Sequence, residues 1–380
     1  MSPKRYAIII VFSGVIIFGL PALTLYLWST LIGEGSAKSV VEKQKLAPTS
    51  LYLSGIKDNN INYKLAIYSQ RRSNVVALGS SRSMQVRASF FKESFTNFGG
   101  IANSIPELDY VATQIINLNK KPSIVLLFAD VWWFNENWQN PRLKYTPSNQ
   151  PDYLTFTNIN LLVKPIHQNG IIFKKDNRLG YGAAYKNQGF DASGSFHYVA
   201  TVTGDAPSND FQFQDTLNRI NSGTKRFEYS HHHSIDGANR FIQIIERLEN
   251  ENIHVVLIMP PFANTVYQKM MLSKNYAYIE TLTKYLHKNL PVFDFTNPNN
   301  ILGTNDCEFI DGFHGGETVY ARLLLQVAAS DEHLAKEINT GYLSKMLMRN
   351  KGISSPETIK IYGGGKSESD FLGLACNKQF

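Results

Sequence analysis

The chain has 380 residues, enough for one large domain or two smaller ones. Hydrophobic residues make up 43% and charged residues only 18%, a composition that excludes an intrinsically disordered chain. The net charge is +7, but the basic residues are scattered and form no run that would indicate a nucleic-acid-binding protein. We therefore expect an ordered protein with no nucleic-acid partner, whose positive charge favours an anionic glycan or a membrane surface.

An uncharged segment near the N-terminus is long enough to cross a membrane as a helix. Residues 6–28 carry no charge, and Lys4 and Arg5 stand just before them. The positive-inside rule then places the N-terminus in the cytoplasm and everything after residue 30 outside. Because signal peptides have shorter apolar cores, we predict an uncleaved, single-pass anchor over residues 1–30 in the cell (inner) membrane. The small residues of 33–38 leave cleavage open as the alternative.

The chain has two cysteines, Cys307 and Cys376. In an oxidising compartment they can pair and tie the C-terminal tail to the body, and two free thiols are the alternative. Their number and spacing fit no metal site.

The body is predicted to be an α/β domain. Residues 31–60 are polar and predict a tether, and the main folded domain is expected over residues 61–340. Short apolar, β-branched runs predict buried parallel strands at 74–78, 123–128, 254–259 and 291–295. Apolar residues at helical spacing predict helices at 105–118, 237–248 and 318–329. This alternation predicts a three-layer, flavodoxin-like parallel sheet.

Two segments depart from the alternating pattern. Residues 135–230 are polar and aromatic and too long for an ordinary loop, so we expect an inserted subdomain beside the active-site edge, with a strand at 196–202. Residues 341–380 are rich in Gly, Ser and Lys and predict a peripheral, partly disordered C-terminal extension.

The first candidate motif is the sequence NVVALGSSRSMQ, residues 74–85, in which a strand runs directly into a Gly-Ser-Ser-Arg turn. Ligands of open α/β sheets bind at the carboxyl ends of the strands, so a hydroxyl in this turn would face the site. The alternative is a plain junction in which Ser80 or Ser81 caps the next helix.

The second candidate motif is FIDGFHGGETVYA, residues 309–321, which places Asp311 three residues before His314. A serine hydroxyl is a poor nucleophile until a base removes its proton, and the base needs a carboxylate to fix its tautomer. Asp-x-x-His can supply both groups. Taken alone, the same residues could be a helix cap and a polar loop residue.

Together, and in this order, the two motifs resemble the SGNH-hydrolase superfamily, in which the nucleophilic serine follows the first strand and an Asp-x-x-His motif lies near the C-terminus. The Gly-Ser-Ser-Arg variant and the single N-terminal span are similar to the branch that includes the alginate O-acetyltransferase proteins and the D-alanyl transfer protein of teichoic acid synthesis. The resemblance implies Ser81 as nucleophile, with Ser80 as the alternative, and Asp311 and His314 as its partners.

The resemblance also implies an oxyanion hole. Residues 97–104 (NFGGIANS) match a block whose backbone N–H binds the oxyanion, here at Ala102 or, in a shifted register, at Gly100, together with a backbone group near Arg82. Where the family has an Asn side chain, this chain has Asp130, and an ionised Asp cannot donate a hydrogen bond. We therefore expect Asp130 to be protonated or to orient a substrate hydroxyl.

The function that the resemblance implies is an extracytoplasmic serine acyltransferase, which O-acetylates a cell-surface or exported polysaccharide through an acyl-Ser81 intermediate. It also implies a membrane-bound O-acyltransferase partner that supplies the acyl group, and no cofactor. One alternative is an O-acyl esterase with the same triad and water as acceptor. Another is a non-catalytic glycan-binding or scaffold protein of an export complex.

Two further groups of residues are ambiguous. His231–His233 could bind a metal, but consecutive residues of an extended segment point in alternating directions and no further ligands follow, so we predict no metal site. The tryptophans either form a platform for sugar rings or pack in the interior; they are Trp132, Trp133 and Trp138.

Overall fold

The structure is a computed structural model that describes residues 2–56, 61–138, 154–173 and 177–378. The chain divides into two compact units. Unit 1 consists of Met1–Ala66 and Ser148–Ala192, and unit 2 of Ile67–Pro147 and Ser193–Phe380. The chain therefore leaves and re-enters each unit, which differs from the expected succession of anchor, tether, body and extension.

The strands and helices of the described residues follow in chain order. The strands are β1 (Leu51–Tyr52), β2 (Val75–Gly79), β3 (Phe95–Gly99), β4 (Ile124–Phe128), β5 (Arg178–Leu179), β6 (Gly189–Phe190), β7 (Phe196–His197), β8 (His254–Met259) and β9 (Val292–Asp294). The α-helices are α1 (Pro3–Gly14), α2 (Leu20–Leu31), α3 (Ala37–Leu46), α4 (Ile61–Arg71), α5 (Ile105–Ile116), α6 (Val163–Asn169), α7 (Tyr181–Lys186), α8 (Val199–Val202), α9 (Gln214–Ser222), α10 (Ile235–Glu249), α11 (Asn264–Ser273), α12 (Ala277–Asn289), α13 (Glu317–Ala328), α14 (Glu332–Glu337), α15 (Thr340–Arg349) and α16 (Pro356–Tyr362).

Unit 1 begins with an apolar helix long enough to cross a membrane. Helices α1 and α2 are joined by a π-helical turn, Val15–Gly19, into one helix of 29 residues, Pro3–Leu31. Among the described residues it is the one helix whose length and composition fit a membrane span, and its apolar window is entirely unburied. The predicted N-terminal apolar helix is thus confirmed as a structural element.

The segment expected to be a tether, residues 31–60, is folded instead. It contains α3 and β1, and Gln44 is buried. The Gln44 side-chain nitrogen donates hydrogen bonds of 2.9 Å to the carbonyl oxygens of Ser50 and Phe190. The polar side chains that suggested a solvated linker include groups that satisfy buried backbone atoms, a role that composition alone does not reveal. Residues 57–60 lie outside the described part of the chain.

Unit 2 is built on a five-stranded parallel sheet with the order β3-β2-β4-β8-β9. The mixed α/β class predicted from the sequence is confirmed. Four of the strands coincide with the predicted runs to within a few residues. The fifth, the edge strand β3, has the sequence FTNFG, whose polar residues and glycine conceal its strand character.

The carboxyl ends of β2 and its neighbours come together closely at Gly79. The register pairs Gly79 with Gly99 on one side and with Phe128 on the other. A Cβ atom on Gly79 would lie 2.8 Å from the carbonyl oxygen of Phe128, so no side chain fits at this point. Gly100, directly after β3, has a φ of 90°, a conformation that glycine adopts without strain. Glycines thus allow the strand ends to form a tight edge.

The expected insert, residues 135–230, is divided between the two units. Of its described residues, 154–173 and 177–192 belong to unit 1, whereas 135–138 and 193–230 belong to unit 2. Residues 139–153 and 174–176 lie outside the described part. The strand predicted at 196–202 is only the short β7, followed by α8.

The C-terminal region is an integral part of unit 2, contrary to the expectation for residues 341–380. The Glu317 carboxylate accepts hydrogen bonds from the backbone N–H of Glu357 at 2.6 Å and of Thr358 at 3.1 Å. Cys376 forms a disulfide with Cys307. Ser354 and Ser355 are buried, and their backbone N–H groups donate to the Glu368 carboxylate, whereas residues 364–367 are exposed.

Candidate active site

Ser81, His314 and Asp311 form one chain of hydrogen bonds in unit 2. The Oγ of Ser81 lies 2.8 Å from Nε2 of His314, and Nδ1 of His314 lies 2.8 Å from Oδ2 of Asp311. With the carboxylate as acceptor, Nδ1 carries the proton, and Nε2 can accept the proton of the Ser81 hydroxyl. The His314 side chain is 16% exposed and that of Asp311 27%, so solvent reaches this chain of residues.

The turn after β2 separates the two candidate serines. Ser81 begins a 3₁₀ turn, Ser81–Ser83, immediately after the strand, and its hydroxyl contacts His314. Ser80 is fully buried, and its hydroxyl accepts a hydrogen bond of 3.2 Å from the backbone N–H of Arg82. Ser80 therefore caps the turn, and Ser81 is the serine that the geometry offers as a nucleophile.

The loop that carries Asp311 and His314 is held in place before any substrate arrives. Oδ1 of Asp311 accepts the backbone N–H of Phe313 at 2.8 Å and that of His314 at 2.6 Å. Oδ2 of Asp210 accepts the N–H of Gly312 at 2.9 Å. Asp210 also binds the N–H and hydroxyl of Thr216 and so connects the loop to α9. This fixation limits the reorganisation that proton transfer requires.

The environment keeps Asp311 ionised. Burial acts to raise its pKa, but the charge and hydrogen bond of His314 and the two backbone N–H groups outweigh burial, so the pKa of Asp311 lies below its ordinary value. Burial also raises the pKa of Tyr198, and the negative charge of Asp311 adds to this rise. Tyr198 thus remains a protonated phenol near the carboxylate at neutral pH.

Asp130 is fully buried beside Arg82, which corrects the expectation that it orients a substrate hydroxyl, while the alternative, a protonated Asp130, stays a prediction. Nη1 of Arg82 lies 3.1 Å from Oδ1 of Asp130, and both side chains are fully buried. Nη2 of Arg82 donates to the carbonyl oxygens of Pro260, at 2.9 Å, and of Pro261. Burial raises the pKa of Asp130, and the Arg82 charge opposes this rise without reversing it. The pair joins the turn after β2 to the ends of β4 and β8.

The two expected oxyanion donors already have partners inside the protein. The N–H of Ala102 donates to the carbonyl oxygen of Gly79 at 3.3 Å, and that of Arg82 to Ser80 Oγ at 3.2 Å. Gly100, the alternative to Ala102, also donates to Gly79, at 3.0 Å. Binding an oxyanion at any of these groups requires that its internal hydrogen bond be exchanged for one to the substrate, and the bonds of Ala102 and Arg82 are the longer ones.

Aromatic rings and a second arginine surround the His314 loop. The ring of Phe313 lies 5.0 Å from that of His314 and 4.8 Å from that of Trp132, measured between centroids. The Arg226 guanidinium lies 5.4 Å from the centroids of both Trp132 and Phe313, and its backbone φ is 81°. All three candidate tryptophans of the platform are buried, so they pack in the interior and offer no exposed platform for sugars.

The histidine run gives no sign of a metal centre. Nδ1 of His233 lies 3.0 Å from the hydroxyl of Thr281, and its ring stands 5.2 Å from that of Tyr285. Over the described ranges, no group of three potential metal ligands comes together.

Sequence reasoning missed Asp210, Tyr198 and Arg226 because all three lie in the segment treated as an unexplained insert. Asp210 precedes a helix, where an acidic residue indicates a cap. That signal does not reveal its bond to Gly312, which is 102 residues away in the chain. No protein-family model matches this chain, and no similar curated protein was found.

Proposed function

We propose that this protein is a membrane-anchored, extracytoplasmic serine acyltransferase of the SGNH-hydrolase type, which transfers an acetyl group to a cell-surface or exported polysaccharide. The observation that carries the proposal is the pair of short contacts that joins Ser81 to His314 and His314 to Asp311. In the parallel sheet of unit 2, β3 lies at one edge and β2, which precedes it in the chain, lies beside it. This strand order supports the three-layer, flavodoxin-like architecture.

In the first half-reaction, His314 Nε2 removes the proton from Ser81 as Oγ attacks the carbonyl carbon of the acyl donor. The ionised Asp311 stabilises the imidazolium that forms. The tetrahedral intermediate collapses when the bond to the leaving group breaks and His314 returns the proton to that group. The product of this step is an ester between the acyl group and Ser81 Oγ.

In the second half-reaction, a hydroxyl of the polysaccharide loses its proton to His314 Nε2 and attacks the acyl-Ser81 ester. Collapse of the second tetrahedral intermediate releases the acylated sugar, and the proton returns to Ser81 Oγ. The backbone N–H groups of Arg82 and Ala102 are the proposed oxyanion donors in both halves, after exchange of their internal hydrogen bonds.

The proposed location rests on the N-terminal apolar helix and on the disulfide. The apolar helix α1–α2 follows two basic residues, Lys4 and Arg5, which favours a cytoplasmic N-terminus. The disulfide between Cys307 and Cys376 is of a kind that persists in oxidising compartments outside the cytoplasm. A membrane-bound O-acyltransferase that passes acyl groups across the membrane is the proposed donor partner, and the mechanism needs no cofactor.

The proposal is tested with the purified full-length protein, a chromogenic acetyl ester and an oligosaccharide acceptor. We expect release of the chromophore to be accelerated by the acceptor, and the acceptor to gain an acetyl group detected by mass spectrometry. Ester hydrolysis that the acceptor leaves unchanged would assign an esterase. A folded protein with neither activity would favour the non-catalytic scaffold.

A further inference from the structure

Unit 1 exposes a second set of large apolar side chains besides those of the N-terminal helix. The segment from residue 156 to residue 173 contains a 3₁₀ helix, Phe156–Leu162, followed by α6. Ile159 and Leu162 are buried in a cluster with Ile32, at the end of the N-terminal helix. Ile166 and Ile172 are partly buried against the same cluster. Five large apolar residues of the segment are exposed; they are Phe156, Leu161, Val163, Ile171 and Phe173. The segment is therefore apolar on its inner side, and its outer side exposes these five apolar side chains beside polar ones such as Lys164 and Gln168.

The segment is attached to the N-terminal helix by direct contacts. The indole N–H of Trp28 donates a hydrogen bond of 3.1 Å to the carbonyl oxygen of Ile172. The rings of Tyr26 and Phe156 meet edge to face, with centroids 6.3 Å apart. The exposed apolar surface of the segment is consequently continuous with that of α2.

The depth of the segment in the membrane follows from the groove that the segment forms with the N-terminal helix. This groove has a volume of about 720 Å³; its walls include Leu20, Leu25 and Trp28 on one side and Val163, Ile166 and Ile171 on the other. A membrane span needs about 20 residues, and the uncharged run here continues from Tyr6 to Gly33. Whichever end of this run marks the membrane boundary, Leu20 lies within the hydrocarbon core.

Two backbone carbonyl groups of the segment have hydrogen-bond donors from side chains within unit 1. In hydrocarbon every carbonyl needs an internal donor, because no water replaces it. The hydroxyl of Tyr181 lies 2.8 Å from the carbonyl oxygen of Gly170 and 3.1 Å from that of Pro165, and its single proton can be donated to either. The side-chain amide of Asn169 also donates to Pro165, at 3.0 Å. Gly170 directly follows α6, where a helix ordinarily relies on solvent for its last carbonyls, whereas Pro165 lies within the helix.

We infer that residues 156–173 are a second membrane-contacting element, which lies in the lipid leaflet from which the folded body emerges and whose groove beside α2 takes a lipid acyl chain. The inference rests on the membrane anchoring proposed above. A lipid surface fits both the outward apolar side chains and the internally satisfied carbonyls. The protein then has a helix that spans the bilayer and an element that lies on it, which fixes the height of unit 1 above the membrane.

The experiment measures membrane depth in the full-length protein, reconstituted in phosphatidylcholine vesicles that contain no other protein. Single cysteines are introduced by Ile171→Cys and Phe173→Cys and labelled with the environment-sensitive fluorophore NBD. Leu20→Cys is the positive control within the proposed span, and Leu302→Cys, an exposed apolar position of unit 2, is the negative control. The native cysteines are paired and do not react with the label. The thermal midpoint of each variant verifies folding.

We expect NBD at positions 171 and 173 to emit at shorter wavelength and to be quenched by lipids that carry a doxyl group on the acyl chain, as at position 20, whereas position 302 is unaffected. Water-like, unquenched emission at 171 and 173 beside a quenched position 20 would overturn this inference alone. An unquenched position 20 would remove the membrane anchoring itself. Protection of 171 and 173 from aqueous iodide only in native membranes would assign the surface to a protein partner and overturn the lipid assignment.

Discussion

Two polar clusters begin at neighbouring residues of the turn after β2, and they differ in access to solvent. Ser81 begins the first, and its partners His314 and Asp311 are partly exposed. Arg82 begins the second and pairs with Asp130 in full burial. Both clusters combine a carboxylate with a nitrogen base or cation. The first, however, can exchange protons with a ligand, and the second cannot reach one.

The difference shows why a charged residue near a nucleophile need not be catalytic. The Arg82 guanidinium bonds to Asp130, Pro260 and Pro261, all in the interior. Its groups join three strand ends of the sheet and hold the turn in which Ser81 lies. We therefore propose that the exposed cluster carries the chemistry and that the buried one stabilises the fold, and substitutions in each should separate the two roles.

The largest effect is expected from Ser81→Ala and His314→Ala. Each should reduce acyl transfer by at least about 10⁴-fold, and the double variant should be little worse than either, because the residues act as a unit. The unfolding free energy should change by less than about 0.5 kcal/mol, since no core volume is removed. Polymer acylation and urea unfolding measure the two effects. A folded Ser81→Ala protein with full activity would remove the enzymatic assignment.

Asp311→Asn should reduce activity by up to about 10⁴-fold, because an amide at this position favours the wrong tautomer of His314. An Asn oxygen can still accept the N–H groups of Phe313 and His314, so the loop should keep its shape. The lowered pKa keeps Asp311 ionised at neutral pH, so the loss should be fully present there. Hydrolysis of the chromogenic ester by both proteins near neutral pH measures it. An Asp311→Asn protein with wild-type activity at that pH would contradict the proposed role of Asp311.

In the buried cluster, Arg82→Met should cost about 3–5 kcal/mol of unfolding free energy, because Asp130 and two carbonyls lose their buried partner. The double variant Arg82→Met/Asp130→Leu should recover part of this loss, since no buried charge is left unpaired. The matched control is Lys284→Met, which removes a cation from an exposed pair with Glu280 and should cause no measurable loss. Urea unfolding of all three decides; an Arg82→Met protein as stable as the wild type would contradict the structural role.

The smallest effect is expected from Ser80→Ala. This variant loses the cap on the Arg82 N–H, which should cost about 1 kcal/mol of stability and leave the Ser81 hydroxyl in place. Activity per folded molecule should stay near the wild-type value in the polymer assay. An inactive, folded Ser80→Ala beside an active Ser81→Ala would move the nucleophile by one residue.

The sheet and its helices were largely predictable because their patterns are local. The runs that form β2, β4, β8 and β9 are short and apolar, and burial on both faces gives them that composition. The strand β3 was not predicted, because its sequence includes polar residues and glycine. The folded state of residues 31–60 and 341–380 was not predicted, because composition does not distinguish polar residues that form buried hydrogen bonds from polar residues that face solvent.

The candidate site was predictable only in its motifs. Gly-Ser-Ser-Arg and Asp-x-x-His indicate chemistry through residue type and spacing, and the structure brings Ser81 and His314 together across 233 residues. Burial is a property of the folded chain, so the sequence did not distinguish Arg82 and Asp130 from residues that face a substrate. The bond from Asp210 to the His314 loop is likewise a product of folding alone.

The most direct test of an activated serine is its reaction with a fluorophosphonate probe. Ser81 Oγ should attack phosphorus and expel fluoride, and tryptic peptides of the full-length protein should carry the added mass on Ser81. The Ser81→Ala and His314→Ala variants should stay unlabelled, because the first lacks the nucleophile and the second lacks its base. A folded wild-type protein that remains unlabelled, or a label on Ser80, would contradict the account.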